Sequence, residues 1–261
     1  MSNLPVPVAP QGVSALNFGS SQLDMHDFIP PRVKVIQAMS DEKNKENVEG
    51  SFFNTLTSEN YGPALRFLPV HTFKNRVLLV RKEKADAVSA DLITAGMDAL
   101  PIGAEGLTCR SLDMQVGIGY PGIECGACPL SRWEDATRRP PFCSETYNVA
   151  AITEMGDLII LGFSRSSAKA GRKLFTMLRL TPGAAPWRFM YEATTEEVKG
   201  ELGRYFAPTV ARINDSSPDP TLQKVAADFA VQLGSMVIDV TPTEEAEGPP
   251  PDGAAPWEAQ G

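Results

Sequence analysis

The sequence contains only two histidines, His26 and His71, and four cysteines. No stretch approaches the roughly 18 to 20 uninterrupted apolar residues that span a bilayer. The first 25 residues hold neither Lys nor Arg and no continuous apolar run, so they do not read as a secretory signal. The expectation is a cytosolic protein. No G-x-x-x-x-G-K-[ST] loop is present, nor a G-x-G-x-x-G opening a helix. A G-x-S-x-G elbow is missing, as is the H-x-E with P-C-x-x-C of a zinc deaminase. With two histidines, proton transfer would fall to carboxylates, and no Asp or Glu pair stands out from ordinary surface acids. The expectation is that the chain is not an enzyme.

Acids are scarce where bases gather. The net charge is −8, but residues 239–261 hold six acids and no base. With these and Asp24 set aside, residues 26–238 hold 25 of the 32 acids and all 24 bases. The body is thus nearly neutral, and it is polarised. From Leu158 to Tyr191 there are six bases and no acid; from Arg66 to Lys84, six bases against Glu83 alone. A basic face beside an acidic tail differs from a uniformly acidic protein.

The apolar fraction of 43% supports a sizeable core. Residues 1–26 are rich in Pro, Ser, Gly and Asn and read as a disordered arm. Strand patterns run over Val33–Gln37, Phe52–Thr57, Ala64–Val70, Phe73–Lys82, Thr146–Thr153, Asp157–Ser164, Trp187–Ala193 and Arg204–Val210. Met155-Gly156 suits a hairpin turn. Residues 85–100 fit a short helix or a long loop. Ser166–Leu180 reads as a helix capped by Ser166 or Ser167 and ended by Pro182-Gly183, with Leu174, Met177 and Leu178 inward. Pro220–Met236 reads as an amphipathic helix, with Leu222, Val225, Phe229 and Leu233 on one side. Short strands without a βαβ rhythm predict a mainly β protein: a barrel or related antiparallel sheet spanning 27–238, with two or three helices. Residues 239–261 read as a disordered acidic tail.

Residues 105–145 are rich in Gly and Pro and poor in aliphatics, so a metal is the expected organiser. Cys109, Cys125, Cys128 and Cys143 follow the pattern C-x15-C-x2-C-x14-C. In a reducing compartment four such thiols predict one structural Zn²⁺, closed by four ligands with no open position for water. The pattern has one CxxC pair rather than the usual two. The competing reading is a redox CxxC with two unrelated thiols. Such a site would want a helix starting at the pair, and Pro129 follows Cys128 instead.

The basic stretches carry aromatic rings. Binding single-stranded nucleic acid needs this mixture, cations along the phosphates and rings against the bases. The candidate set is Arg66, Lys74, Arg76, Arg165, Lys169, Arg172 and Lys173, with stacking from some of Phe73, Phe163, Trp187 and Tyr205. Arg132, Trp133, Arg138 and Arg139 extend it. The competing reading is plain: strand aromatics are usually core, and a basic helix face is usually only solvated.

PPRVKVIQAMS, GSFFNTLTSENYG and ALRFLPV, between Pro30 and Val70, resemble a group of tailed-bacteriophage proteins that look like phage single-stranded DNA-binding proteins. CGACPLSRW, SRSSAKAGRKL and GRYFAP, further on, carry the same likeness. The resemblance implies an OB-type barrel, an inserted zinc subdomain held by Cys109, Cys125, Cys128 and Cys143, and a place in the cytoplasm of an infected bacterial host. It implies coating of single-stranded DNA during phage replication or recombination, with the acidic tail contacting replication and recombination enzymes. The chain departs from that pattern in having no His in the cysteine segment and in ending on Ala259-Gln260-Gly261. The rival expectation is a zinc-containing phage adaptor whose tail binds host or phage polymerase components rather than DNA.

Overall fold

The computed structural model describes residues 29–133, 139–180, 185–200, 203–213, 218–234 and 238–240. The expected N-terminal arm, Arg138 and most of the expected acidic tail lie outside them.

Ten strands form one mixed sheet, and three α-helices pack on it. The strands are β1 (Arg32–Val35), β2 (Phe52–Asn54), β3 (Asn60–Gly62), β4 (Ala64–Val80), β5 (Gly106–Ser111), β6 (Ile118–Gly119), β7 (Cys143–Thr153), β8 (Leu158–Ser164), β9 (Tyr191–Gly200) and β10 (Gly203–Arg212). The helices are α1 (Ala85–Thr94), α2 (Ala168–Arg179) and α3 (Pro220–Gly234). The main strand order is β10-β9-β4-β7-β8-β1-β2-β3, with β5 and β6 added beside the second half of β4. All pairs are antiparallel except β1 with β8.

The mainly β expectation holds. The closed barrel does not: the ladder ends on β3 and β10. Side chains bridge the gap between the β9–β10 pair and the loop joining β1 to β2. The Gln37 amide donates to the Phe206 carbonyl at 2.8 Å and accepts from the Phe206 N–H at 2.9 Å. It thereby does for one residue of an edge strand what a neighbouring backbone would do. Thr195 Oγ1 donates to the Gly50 carbonyl at 2.7 Å, and Arg204 pairs with Glu49 at 3.1 Å.

The two strands expected over 64–70 and 73–82 are one 17-residue strand, β4. A bulge lies between Pro69 and His71, where β4 slips one residue against β7. Proline has no N–H for the ladder, and an extra residue there resets the parity of side chains. Before the bulge Leu65 and Phe67 face the first core; after it the same face carries Lys74, Arg76 and Leu78, opposite Tyr147, Glu145 and Cys143.

That first core joins Val33, Phe52, Phe67, Val149, Leu161, Phe163 and Tyr191 to Ala170, Leu174 and Phe175 of α2. The helix sits very close at Gly171. A Cβ there would stand 2.7 Å from the Cβ atoms of Phe163 and Tyr147, so only glycine fits. The opposite face packs Leu68, Val70, Ala150, Ile152 and Ile160 beneath α3, through Leu222, Val225, Ala226, Phe229 and Leu233. Ile238 and Val240 are buried in this second core, and Asp239 pairs with Arg110 at 2.8 Å. The expected boundary between body and tail at 238/239 therefore runs through a packed segment. The region from Trp187 is a turn at Pro186–Arg188, and the strand proper begins at Tyr191.

A third core, Leu78, Val80, Val88, Leu92, Cys128 and Leu130, ties α1 and the cysteine segment to the far end of β4.

Candidate metal centre and nucleic-acid interface

β4 places two of the cysteines. Leu78 is opposite Cys109 on β5 and opposite Cys143 on β7, so the three side chains form one row on one face. Cys125 and Cys128 are delivered by a turn beneath that row, in which the Ala127 and Cys128 N–H groups donate to the Glu124 carbonyl, each at 3.0 Å. Ser131 Oγ closes the turn on the Cys125 carbonyl at 2.6 Å and the Cys128 carbonyl at 2.9 Å. All four are free thiols; Cys125 and Cys128 are buried, and Cys109 and Cys143 are half-buried.

Burial pushes the thiols of Cys109 and Cys128 up, and that of Cys143 up to about 12. Backbone N–H groups oppose this at two of them: Gly122 donates to Cys109, and Leu130 and Ser131 donate to Cys128. Such N–H groups stabilise a thiolate, the form that binds metal. The donor set suits zinc. The side chains do not form a finished cage: among the described residues no three His, Cys, Asp or Glu groups gather closely enough to hold an ion.

α2 carries the second feature. Lys169, Arg172, Lys173 and Arg179 are all exposed, while Ala170, Gly171, Leu174 and Phe175 are buried. At about 100° per residue the four cations fall within about 60° on either side of Thr176 and extend about 15 Å along the axis. Among the described residues no ion pair joins any of the four to an acid. Arg165 precedes the helix in a left-handed conformation, φ 48°, and its Nε donates to Ser144 Oγ at 3.2 Å. Arg179 was absent from the candidate set, although its 3.6-residue spacing from the other three was legible.

The remaining candidates do not join this surface. Arg66 is exposed but pairs with Glu192 at 3.0 Å and Glu154 at 3.5 Å. Lys74 pairs with Glu145 at 2.6 Å and lies 4.3 Å from the centroid of the Tyr147 ring. Arg76 is largely buried beside the cysteines. Phe163 is a correction: at 2% exposure beneath α2 it is core and offers no face to a base. Phe73 stacks on His71 and packs, with Trp187, around the second core. Tyr205 is half-buried on β10.

Two further clusters stand apart from α2: the first went unread in the sequence, and the second gathers Arg132, Trp133 and Arg139 of the expected extension. Arg188 and Arg212 flank Phe189, 5.6 and 4.7 Å from its ring centroid. Arg132, half-exposed Trp133, Arg139 and Phe142 line an open pocket of about 290 Å³ against the end of α1. Its Arg139 is held by Asp91 at 2.5 Å. No sequence period links these residues.

The fold and the two clusters define a mainly β protein with a thiol-rich lobe and one cationic helix. Residues 3–98 match a family model described as Pam3 phage gp34-like protein, which indicates a phage protein. The match covers less than half of the chain and ends before the first cysteine and before α2. No curated protein and no solved structure matches the chain. No helix among the described residues is long and apolar enough to cross a membrane.

Proposed function

We propose that this protein binds single-stranded DNA during phage replication or recombination, through the outward face of α2, and performs no chemistry of its own. The observation that carries the reading is the exposed set of Lys169, Arg172, Lys173 and Arg179, with no acid between Leu158 and Tyr191. Four cations on about 15 Å of rigid helix suit a phosphate backbone, whose neutralisation releases counterions. The family match supports the phage setting, and the resemblance of SRSSAKAGRKL, within and before α2, supports this partner. Half-exposed Trp133 and half-buried Tyr205 are the stacking candidates that remain.

The four cysteines serve this function indirectly. Cys109, Cys125, Cys128 and Cys143 would hold one zinc ion, which when bound supplies a four-way cross-link between β5, β7 and the turn at 125–128. The acidic residues beyond Val240 are proposed to recruit replication or recombination proteins.

Fluorescence anisotropy of a labelled oligo-dT and of a duplex of equal length, at two salt concentrations, tests the reading. Salt-sensitive binding to the single strand alone is expected. Absence of binding at low salt rejects it.

A further inference from the structure

Arg76 presents a charge that its surroundings do not balance. It lies on β4 two residues before Leu78, on the face that carries Cys109 and Cys143 in the neighbouring strands. Its side chain is only 18% exposed. Its one recorded acid, Glu145, is 3.9 Å away and already holds Lys74 at 2.6 Å. Lys74, Arg76 and Glu145 together leave one positive charge over. The Arg76 Nε hydrogen is buried without an acceptor. A buried donor on a guanidinium that lacks a partner is costly, so an acceptor belongs there. Ser111 is the neighbour of Arg76 across the β4–β5 ladder, and the thiols of Cys109 and Cys143 stand opposite Leu78, the next residue of β4 on that face.

From this arrangement we infer that Arg76 is a positioning residue for the cysteine cluster, supplying a buried positive charge and an N–H donor to the ligating sulfurs. The inference rests on the zinc reading above. Four thiolates around Zn²⁺ carry a net charge of −2, and such a charge is unfavourable in a partly buried site unless cations or N–H donors face it. Gly122, Leu130 and Ser131 supply backbone donors to Cys109 and Cys128. Among the described residues no backbone donor is recorded for half-buried Cys143, which stands opposite Leu78, two residues along the same face from Arg76. A second neighbouring group that tunes the ligands in this way typically changes metal affinity by about 10 to 100-fold. Arginine suits the place because its planar fork keeps its charge and can direct one N–H inward while another meets Glu145.

The test uses the full chain. Zinc is titrated against a chromophoric chelator, and cobalt is substituted to read the thiolate-to-metal absorption bands. Arg76→Gln is expected to weaken zinc binding about tenfold or more and to shift the cobalt bands, with Arg76→Lys falling between it and wild type. Because Arg76→Gln also disturbs β4, Glu145→Gln is the companion variant. It removes the competing acid and is expected to bind zinc as tightly as wild type or more tightly. One bound ion per wild-type chain with equal affinity in Arg76→Gln would overturn the role of Arg76 while leaving the zinc site standing, and so would weaker binding by Glu145→Gln. A wild-type chain that binds neither zinc nor cobalt would overturn both.

Discussion

Replacing Arg172 and Lys173 together by glutamine separates a binding surface from a solvated one. Both side chains are exposed on α2, on the side away from Leu174 and Phe175, so the folded state loses little by their change. If each of the four cations on that face neutralises one phosphate, the logarithm of the single-strand affinity falls with log salt at a slope of about −2.8, at about 0.7 per contact. Between about 50 and 200 mM salt that is roughly a 50-fold loss of affinity. The double variant keeps two contacts, so its slope is about −1.4 and the same salt change costs only about sevenfold. Anisotropy titrations of oligo-dT at four or five salt concentrations measure both slopes, and thermal melts confirm that the fold is intact. An unchanged slope in the double variant, with undiminished affinity, would refute the assignment of α2 to the phosphates. Binding that ignores salt in the wild type would refute the electrostatic argument as a whole.

Gln37→Ala removes both hydrogen bonds to Phe206 and is expected to cost about 1 to 3 kcal/mol, read as a lower denaturant midpoint, since each bond is worth about 0.5 to 1.5 kcal/mol. Half-burial holds His71 below its ordinary value of 6.5, so its neutral form contributes stability that is present above that value and lost as pH falls through the lowered one. The stability lost between pH 7.5 and 5.5 is therefore expected to be smaller in His71→Gln than in wild type; equal losses would clear His71 of any part. Removal of zinc by a chelator, or Cys125→Ser, is expected to raise hydrogen exchange across 106–143 while β8 and β9 stay protected; unchanged exchange in a metal-free chain would contradict the cross-link.

Much of the fold was legible because its signals are local. The apolar run of Leu158–Ser164, the Met155-Gly156 turn and the apolar spacing of Leu174, Met177 and Leu178 are short-range patterns that hold wherever the segment packs. The cationic stripe of α2 was legible for the same reason, since helix period and charge are both written in consecutive residues. The stacking residues were not. Phe163 and Trp187 look alike as rings among bases, and only α2 over one sheet face and α3 over the other show that Phe163 is core and that Trp187 packs under a helix.

Sequence alone determined that this is a mainly β chain with a quartet of cysteines at ligand-like spacing, a basic helix and acids collected at one end. Those are properties of composition and period, and neighbours along the chain suffice to define them. Tertiary structure decided which face each side chain serves. The bulge at Pro69–His71 turned Lys74, Arg76 and Leu78 to the cysteine side, a reversal that a one-residue slip in pairing causes and that the alternation pattern cannot show. It also joined Gln37 to Phe206 across 169 residues, where an amide stands in for a missing strand. Contacts of that kind depend on register and on the curl of the sheet, and these exist only once the whole chain has folded.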